Sequence, residues 1–229
     1  IKEIRIKLNL SQEVFSKILG WSKKSIVRYE NSDSVPQGEY LNTYMILNEN
    51  PYYIVKLLER QKNNFTEEEY YKILSILPFS KVYKTVNTIL YLLKNNKLCE
   101  TSLMKHLFAV DFYNCKENKE AITNLKYAHL LYGPVVDNRN ILYNFLIKND
   151  YIKIEINDIS TNFTTDKDFD KKLFTKEELN SMKLIKYKFK EYSASELSDW
   201  SHSFKGYIAT KNGEIIDYKY AKYLDIDNI

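Results

Sequence analysis

Residues 10–30 read LSQEVFSKILGWSKKSIVRYE, and the order of caps, apolar positions and glycine in this run decides the fold of the first quarter of the chain. Ser11 is a good N-cap, and Val14, Phe15, Ile18 and Leu19 follow at helical spacing on one face. Gly20 predicts the end of that helix, because glycine enters the left-handed C′ conformation without a Cβ penalty. Trp21 then reads as a core plug, and Ser22 as the cap of a second helix through Ser25, Ile26 and Tyr29 to Glu30. Ile26 and Tyr29 face inward, which leaves Lys23, Lys24, Ser25 and Arg28 outside. A helix N-terminus carries free N–H groups and partial positive charge, so two lysines there strengthen an anion site. This is a helix-turn-helix, and its outer face is the one suited to the major groove. Lys23 and Lys24 alone would mean little, since charged helix faces are usually just solvated. The ordered set of cap, glycine, aromatic plug and flanking Arg and Glu is what makes the reading specific.

Outward from this run, residues 2–8 (KEIRIKL) predict a first helix with Ile4 and Leu8 as its buried stripe. Residues 32–38 form a polar turn holding Pro36, a fourth helix carries Leu41, Tyr44, Met45 and Leu47, and Pro51 opens a fifth. Residues 61–64 are a polar break. Thr66 then starts a capping box into a connecting helix over residues 70–77 that Pro78 stops. The expected organisation is a helix-turn-helix domain over 1–62, a connecting helix and linker over 63–79, and a second domain over 80–229.

In the second domain Val82, Val86, Ile89, Leu90 and Leu93 mark one long helix, and Leu103, Leu107, Phe108, Val110 and Phe112 another. Tyr132-Gly133-Pro134 is a sharp turn, and residues 141–148 predict a helix. From Tyr151 the period changes: Ile152, Ile154 and Ile156 alternate, Asn157-Asp158 turns, and a second extended run completes a small hairpin. Further helices start after Thr175 and over 195–201, and residues 206–208 and 214–218 read as extended pieces around Asn212-Gly213. The expected fold is mainly α (α+β): a five-helix repressor-like domain and a mostly helical second domain with a small β-hairpin.

The 229 residues carry a net charge of +4, and residues 1–62 hold ten Lys+Arg against seven Asp+Glu, so most of the excess sits where a phosphate-binding module would have it. Cys99 and Cys115 are sixteen apart with no Cys-x-x-Cys, the pattern of free thiols in a reducing cytosol. No apolar run approaches the ~20 residues of a membrane span, and the start lacks the apolar core of a signal peptide. A cytoplasmic protein with no membrane partner is expected. His106, His129 and His202 lie in no metal or catalytic frame, and five scattered glycines make no phosphate loop. Asp199, Ser201, His202 and Ser203 are sequence neighbours, whereas a catalytic triad is gathered from separate segments, so no catalytic role, cofactor or metal is expected.

The first domain resembles phage-repressor-like helix-turn-helix domains through Arg5, Leu10-Ser11-Gln12, Leu19-Gly20 and Arg28-Tyr29-Glu30-Asn31. Gly20-Trp21 and Leu47-Asn48-Glu49-Asn50-Pro51 look like the helix-turn-helix segments of bacterial antitoxins, which often carry a cysteine-rich zinc ribbon ahead of them. The resemblance implies that Gln12 touches phosphate and that Lys23, Lys24 and Ser25 face bases. It also implies that Arg28 reaches base or backbone, and that Arg5 and Glu30 form an internal ion pair. With the capping serines Ser11 and Ser22, these make the expected DNA-binding set. Ser16 and Ser32 depart from the pattern, which has alanine and glycine there.

The second domain resembles the Panacea, or SocA-like, antitoxin domain of toxin–antitoxin pairs. The matching stretches are residues 103–111 with Asp111, residues 127–137 with Tyr132-Gly133-Pro134, and residues 174–179. Leu197-Ser198-Asp199-Trp200-Ser201-His202 and residues 213–217 complete them. That resemblance implies neutralisation of a cognate toxin protein, with the helix-turn-helix autorepressing the operon from operator DNA. The expected assembly is a homodimer or a toxin–antitoxin hetero-oligomer. Tyr132, Pro134, Val136, Trp200, His202 and Phe204 are the expected partner-binding residues. Two alternatives stay open, a phage-type regulator whose second domain senses a ligand or oligomerises, and an adaptor delivering a bound partner to a protease.

Overall fold

Among the described residues, three reciprocal capping boxes set helix starts. Thr66 with Glu69, Thr175 with Glu178 and Ser193 with Glu196 each satisfy two backbone N–H groups that the first helical turn leaves without partners. The computed structural model describes residues 1–32, 34–49, 53–77, 80–137, 139–157 and 160–227. The helix start expected at Pro51, the stop at Pro78 and the turn at Asp158 lie outside the described residues. The protein is mainly α with small antiparallel β elements, and it divides into two compact units, Ile1–Tyr83 and Lys84–Ile229.

The first unit holds α1 (Lys2–Lys7), α2 (Gln12–Leu19), α3 (Lys23–Asn31), α4 (Glu39–Glu49), α5 (Tyr53–Arg60), a 3-10 turn (Lys62–Asn64) and α6 (Glu67–Ile76). These include the five short helices expected of a repressor-like domain. Ile4, Leu8, Leu10, Phe15, Ile18, Ile26, Leu47, Ile54 and Leu58 are buried, so each of the five helices supplies at least one core residue. Residues 63–77 fall inside this unit, and Tyr70, Ile73 and Leu74 of α6 are buried. The unit boundary falls within α7 (Ser80–Leu93).

The second unit is built on α8 (Glu100–Asn118). Every residue from Ser102 to Phe112 is buried, and a helix covered on all sides in this way is a core element rather than a surface one. Around it stand the hairpin β2 (Tyr127–Leu130) and β3 (Gly133–Val136), α9 (Arg139–Lys148), α10 (Lys176–Phe189), α11 (Ala194–Ser203), α12 (Lys205–Ile208) and a 3-10 helix (Tyr218–Tyr223). A small sheet in the order β1-β5-β4 joins β1 (Leu98–Cys99) to β4 (Lys153–Ile156) and β5 (Thr161–Thr164), with Phe163 opposite both Leu98 and Ile154. The expected hairpin after Tyr151 is therefore present as β4 and β5.

Two features differ from the expectation. Residues 127–136 form a second hairpin, with Tyr127 opposite Val136 and Leu130 opposite Gly133, so the turn is Leu131-Tyr132 and Gly133 opens the return strand. Residues 206–208 are helical, not extended. Three residues of apparent alternation cannot separate a strand from one helical turn. Here the buried Phe204 starts the turn, and a Cβ on Gly206 would meet the Phe204 ring at 2.4 Å.

Candidate functional site

The turn between α2 and α3 is fixed by backbone bonds that glycine makes possible. Gly20 sits at φ +69°, its N–H donates to Lys17 O at 3.2 Å, and the Trp21 N–H reaches back to Ser16 O at 2.9 Å. This paired closure satisfies carbonyls that the end of α2 would otherwise leave free. Ser11 Oγ accepts from the Val14 N–H at 3.2 Å, and Ser22 Oγ from the Ser25 N–H at 3.0 Å, so both serines act as the expected caps. The buried Trp21 stacks on Tyr40 at 4.3 Å with Tyr29 edge-on at 6.0 Å, tying α3 to α4 through an aromatic cluster.

Of the residues expected to face DNA, Lys23, Lys24 and Arg28 are exposed on α3. Lys23 Nζ lies 3.4 Å from Glu13, an exposed pair that costs little to break. Lys24 makes no hydrogen bond or ion pair among the described residues. Arg28 lies 4.7 Å over the Tyr29 ring and donates to its hydroxyl at 2.9 Å, which extends the guanidinium along the helix surface. Ser25 is half-buried and its hydroxyl is 2.9 Å from Ser22 Oγ, so its first task is in the cap.

Beneath this face lies an ion pair. Arg5 Nε donates to Glu30 Oε1 at 2.6 Å, Nη2 to Oε2 at 2.9 Å, and Nη1 to Leu10 O at 2.9 Å. The Glu30 side chain is only 1% exposed, and the Arg5 guanidinium holds its carboxyl below the usual range against the opposing effect of burial. Gln12 Nε2 donates to Glu30 Oε2 at 2.7 Å. The amide expected to touch phosphate is therefore oriented by the ion pair, with one N–H and its carbonyl still unassigned.

In the second unit the expected partner residues separate into surface and core. Tyr132 is 68% exposed and its neighbour Leu131 74% exposed, whereas Pro134, Val136, Trp200 and Phe204 are buried and His202 is half-buried. The six do not form one surface. The reason is hydrogen bonding as well as hydrophobicity: Trp200 Nε1 donates to Asp225 O at 2.7 Å, and Pro134 O accepts from Lys105 Nζ at 3.1 Å. What remains outside is the hairpin tip, held from beneath by Ser198 Oγ donating to Tyr132 O at 3.1 Å and Tyr207 Oη to Leu130 O at 2.8 Å.

Sequence reasoning did not place two charged side chains of α8, Lys105 and Asp111, in the core. Asp111 is fully buried and accepts from the Thr123 N–H at 2.7 Å, the Thr123 hydroxyl and the Tyr127 hydroxyl at 2.9 Å. The Tyr218 hydroxyl lies 3.1 Å away. Burial nevertheless pushes its carboxyl up. Lys105 is also fully buried beneath Gly133, and desolvation pushes its ammonium down to about 7. A Cβ at Gly133 would lie 2.2 Å from Ser201 Oγ and 2.8 Å from Lys105 Nζ, so only glycine fits. Ser201 donates to Ser198 O and Ser203 to Trp200 O, while the buried His202 Nε2 has no hydrogen-bond partner among the described residues. No described helix is long and apolar enough to cross a membrane.

The geometry of α2, its glycine turn and α3 defines a helix-turn-helix protein of the DNA-binding class. Residues 1–43 match a helix-turn-helix family model, and residues 103–207 match the family described as antitoxin SocA-like, Panacea domain. The chain carries a helix-turn-helix domain followed by a SocA-like Panacea domain, the architecture that its motifs resemble. No curated protein and no solved structure gives a significant match to it.

Proposed function

We propose that this protein is an antitoxin that neutralises a cognate toxin by direct contact through its second unit and represses its own operon through its first. The observation that carries the reading is the pairing, in one chain, of an antitoxin-type Panacea domain with a helix-turn-helix whose Lys23, Lys24 and Arg28 face outward. An operator is bound by the N-terminus of α3 entering the major groove, with Ser11, Gln12 and Ser22 beside the phosphates and two protomers on half-sites one helical turn apart. The toxin meets the Leu131-Tyr132 hairpin tip, an exposed apolar pair on a rigid support.

The test is co-expression with the product of the neighbouring reading frame, alongside a reporter driven by the upstream region. The reading expects growth arrest by the neighbour alone, restoration of growth when this chain is supplied, and reduced reporter output. Arrest that persists in the presence of soluble chain, or a reporter that does not respond, contradicts the corresponding half of the proposal.

A further inference from the structure

The three-stranded sheet of the second unit ends in an open edge. In the order β1-β5-β4, β4 has β5 on one side and, among the described residues, no strand on the other. The Asn157 N–H donates to Ser160 O at 3.1 Å, which marks that pair as a hydrogen-bonded one. Antiparallel alternation then directs the backbone groups of Lys153 and Glu155 to β5 and turns the N–H and C=O of Ile154 and Ile156 outward. Neither outward residue has a backbone hydrogen-bond partner among the described residues. Side chains alternate as well, with Ile152, Ile154 and Ile156 on the core face and Lys153 and Glu155 on the other. Ile152 is buried and Ile154 half-buried opposite Phe163, but Ile156 is 77% exposed, the most exposed large apolar side chain among the described residues. An open edge of this kind is a template for another strand.

The residues of that edge specify the strand that fits it. Residues 152–156 read IKIEI, symmetric about Ile154 in the apolar positions and opposite in charge at the two positions between them. Two copies laid antiparallel about Ile154 place Ile154 against Ile154 of the second copy, Ile152 against Ile156, and Lys153 against Glu155 on the other face. The same register brings outward backbone groups to outward ones, because Ile152, Ile154 and Ile156 share one parity along the strand. A lone lysine on an edge strand guards it against pairing, whereas here the lysine of each copy meets the glutamate of the other. Within one chain Lys153 pairs with Asp166 and Lys97 with Glu155, and all four side chains are exposed, so these contacts hold them weakly. In the paired form they lengthen a run of alternating sign, Asp166 and Lys153 of one copy with Glu155 and Lys97 of the second. We infer that this protein self-associates through β4, two copies joining their three-stranded sheets into one six-stranded antiparallel sheet. The inference goes beyond operator and toxin binding and stands without either.

The experiment is sedimentation velocity on the full chain across a concentration series, with no DNA and no other protein present. The wild type should sediment as a concentration-dependent dimer. Lys153→Glu sets carboxylates opposite one another at both symmetric positions, and Glu155→Lys does the same with ammonium groups. Each should weaken association about tenfold, and the double variant, which restores opposite charges across the pair, should recover it. Ile156→Pro removes an outward N–H and the exposed side chain while sparing the backbone bonds to β5, so it should dissociate the dimer with the circular dichroism spectrum unchanged. A chain that is monomeric at every concentration, or a dimer that neither the single reversals nor Ile156→Pro weakens, overturns the inference. So does a double variant that associates no better than its parents, because Lys153 then does not face Glu155 of the second copy. Operator and toxin binding are untouched by any of these results.

Discussion

At the scale of single residues, Glu30 joins the fold of the first unit to Gln12, the amide expected to touch phosphate. Its carboxylate takes two bonds from Arg5 and one from Gln12, so α1, the start of α2 and the end of α3 are fastened at one point. Removing it leaves a guanidinium that is only 15% exposed without its partner. Glu30→Gln should destabilise the protein by roughly 3 kcal/mol near neutral pH, read by chemical denaturation of the full chain. Because the folded pKa of Glu30 is lowered from 4.5, its stabilisation is complete above that value and is lost as pH falls through the folded pKa. Arg5 stays charged throughout, so a wild-type acid slope that flattens in Glu30→Gln is the expected signature. On the outer face, alanine at Lys24 or Arg28 should cost roughly 1–3 kcal/mol of specific binding for each base that the side chain no longer reads. Gln12→Ala should weaken binding to all sequences alike. Unchanged operator affinity in both Lys24→Ala and Arg28→Ala, measured by electrophoretic titration, would remove the base-reading role from α3.

At the scale of elements, the α2–turn–α3 motif was legible because its determinants are local. Ser11, Gly20 and Ser22 each act within a few residues of their own position, and the structure places all three as caps or turn as their chemistry requires. The two later capping boxes follow the same logic. The β2–β3 hairpin was not legible, for three physical reasons. Tyr127 and Ala128 are both buried, so no alternation marks β2; the Leu131-Tyr132 turn carries none of the Asn-Gly or Asp-Gly chemistry of tight hairpins; and Gly133-Pro134 reads as a turn although it opens a strand. Gly133 is instead fixed by the side chains beneath it. Gly133→Ala drives a Cβ against Lys105 and Ser201 at a residue with φ +91°, and should cost more than about 2 kcal/mol and lower the melting temperature of the second unit. An unchanged melting temperature would show that the hairpin is not packed as described.

At the scale of the whole molecule, the interior of the second unit was not legible in the sequence. Lysine and aspartate in a helix read by default as surface, and only the complete envelopment of α8 turns Lys105 and Asp111 into core residues. Lys105 gives this interior a measurable signature. Its folded pKa near 7 lies below the ordinary 10.5, so between those values the unfolded chain binds a proton that the folded chain has released. Stability of the second unit should therefore rise with pH across that window. Lys105→Met, close in volume and uncharged, should abolish the rise and be neutral or stabilising near pH 7. The residues expected to bind a partner likewise separated only in three dimensions, where Pro134, Val136, Trp200 and Phe204 are buried and the Leu131-Tyr132 tip is exposed.

The measurement that bears most directly on the central proposal is affinity purification of this chain from cells that also express its adjacent reading frame, with the eluate scored by intact mass. An antitoxin should be recovered in a stable complex with a neighbour that arrests growth when expressed alone. Asp at Leu131 and Tyr132 should break that complex, while Lys24→Ala with Arg28→Ala should leave it intact. Recovery of the chain by itself, from cells in which the neighbour is demonstrably present and soluble, would contradict the antitoxin reading.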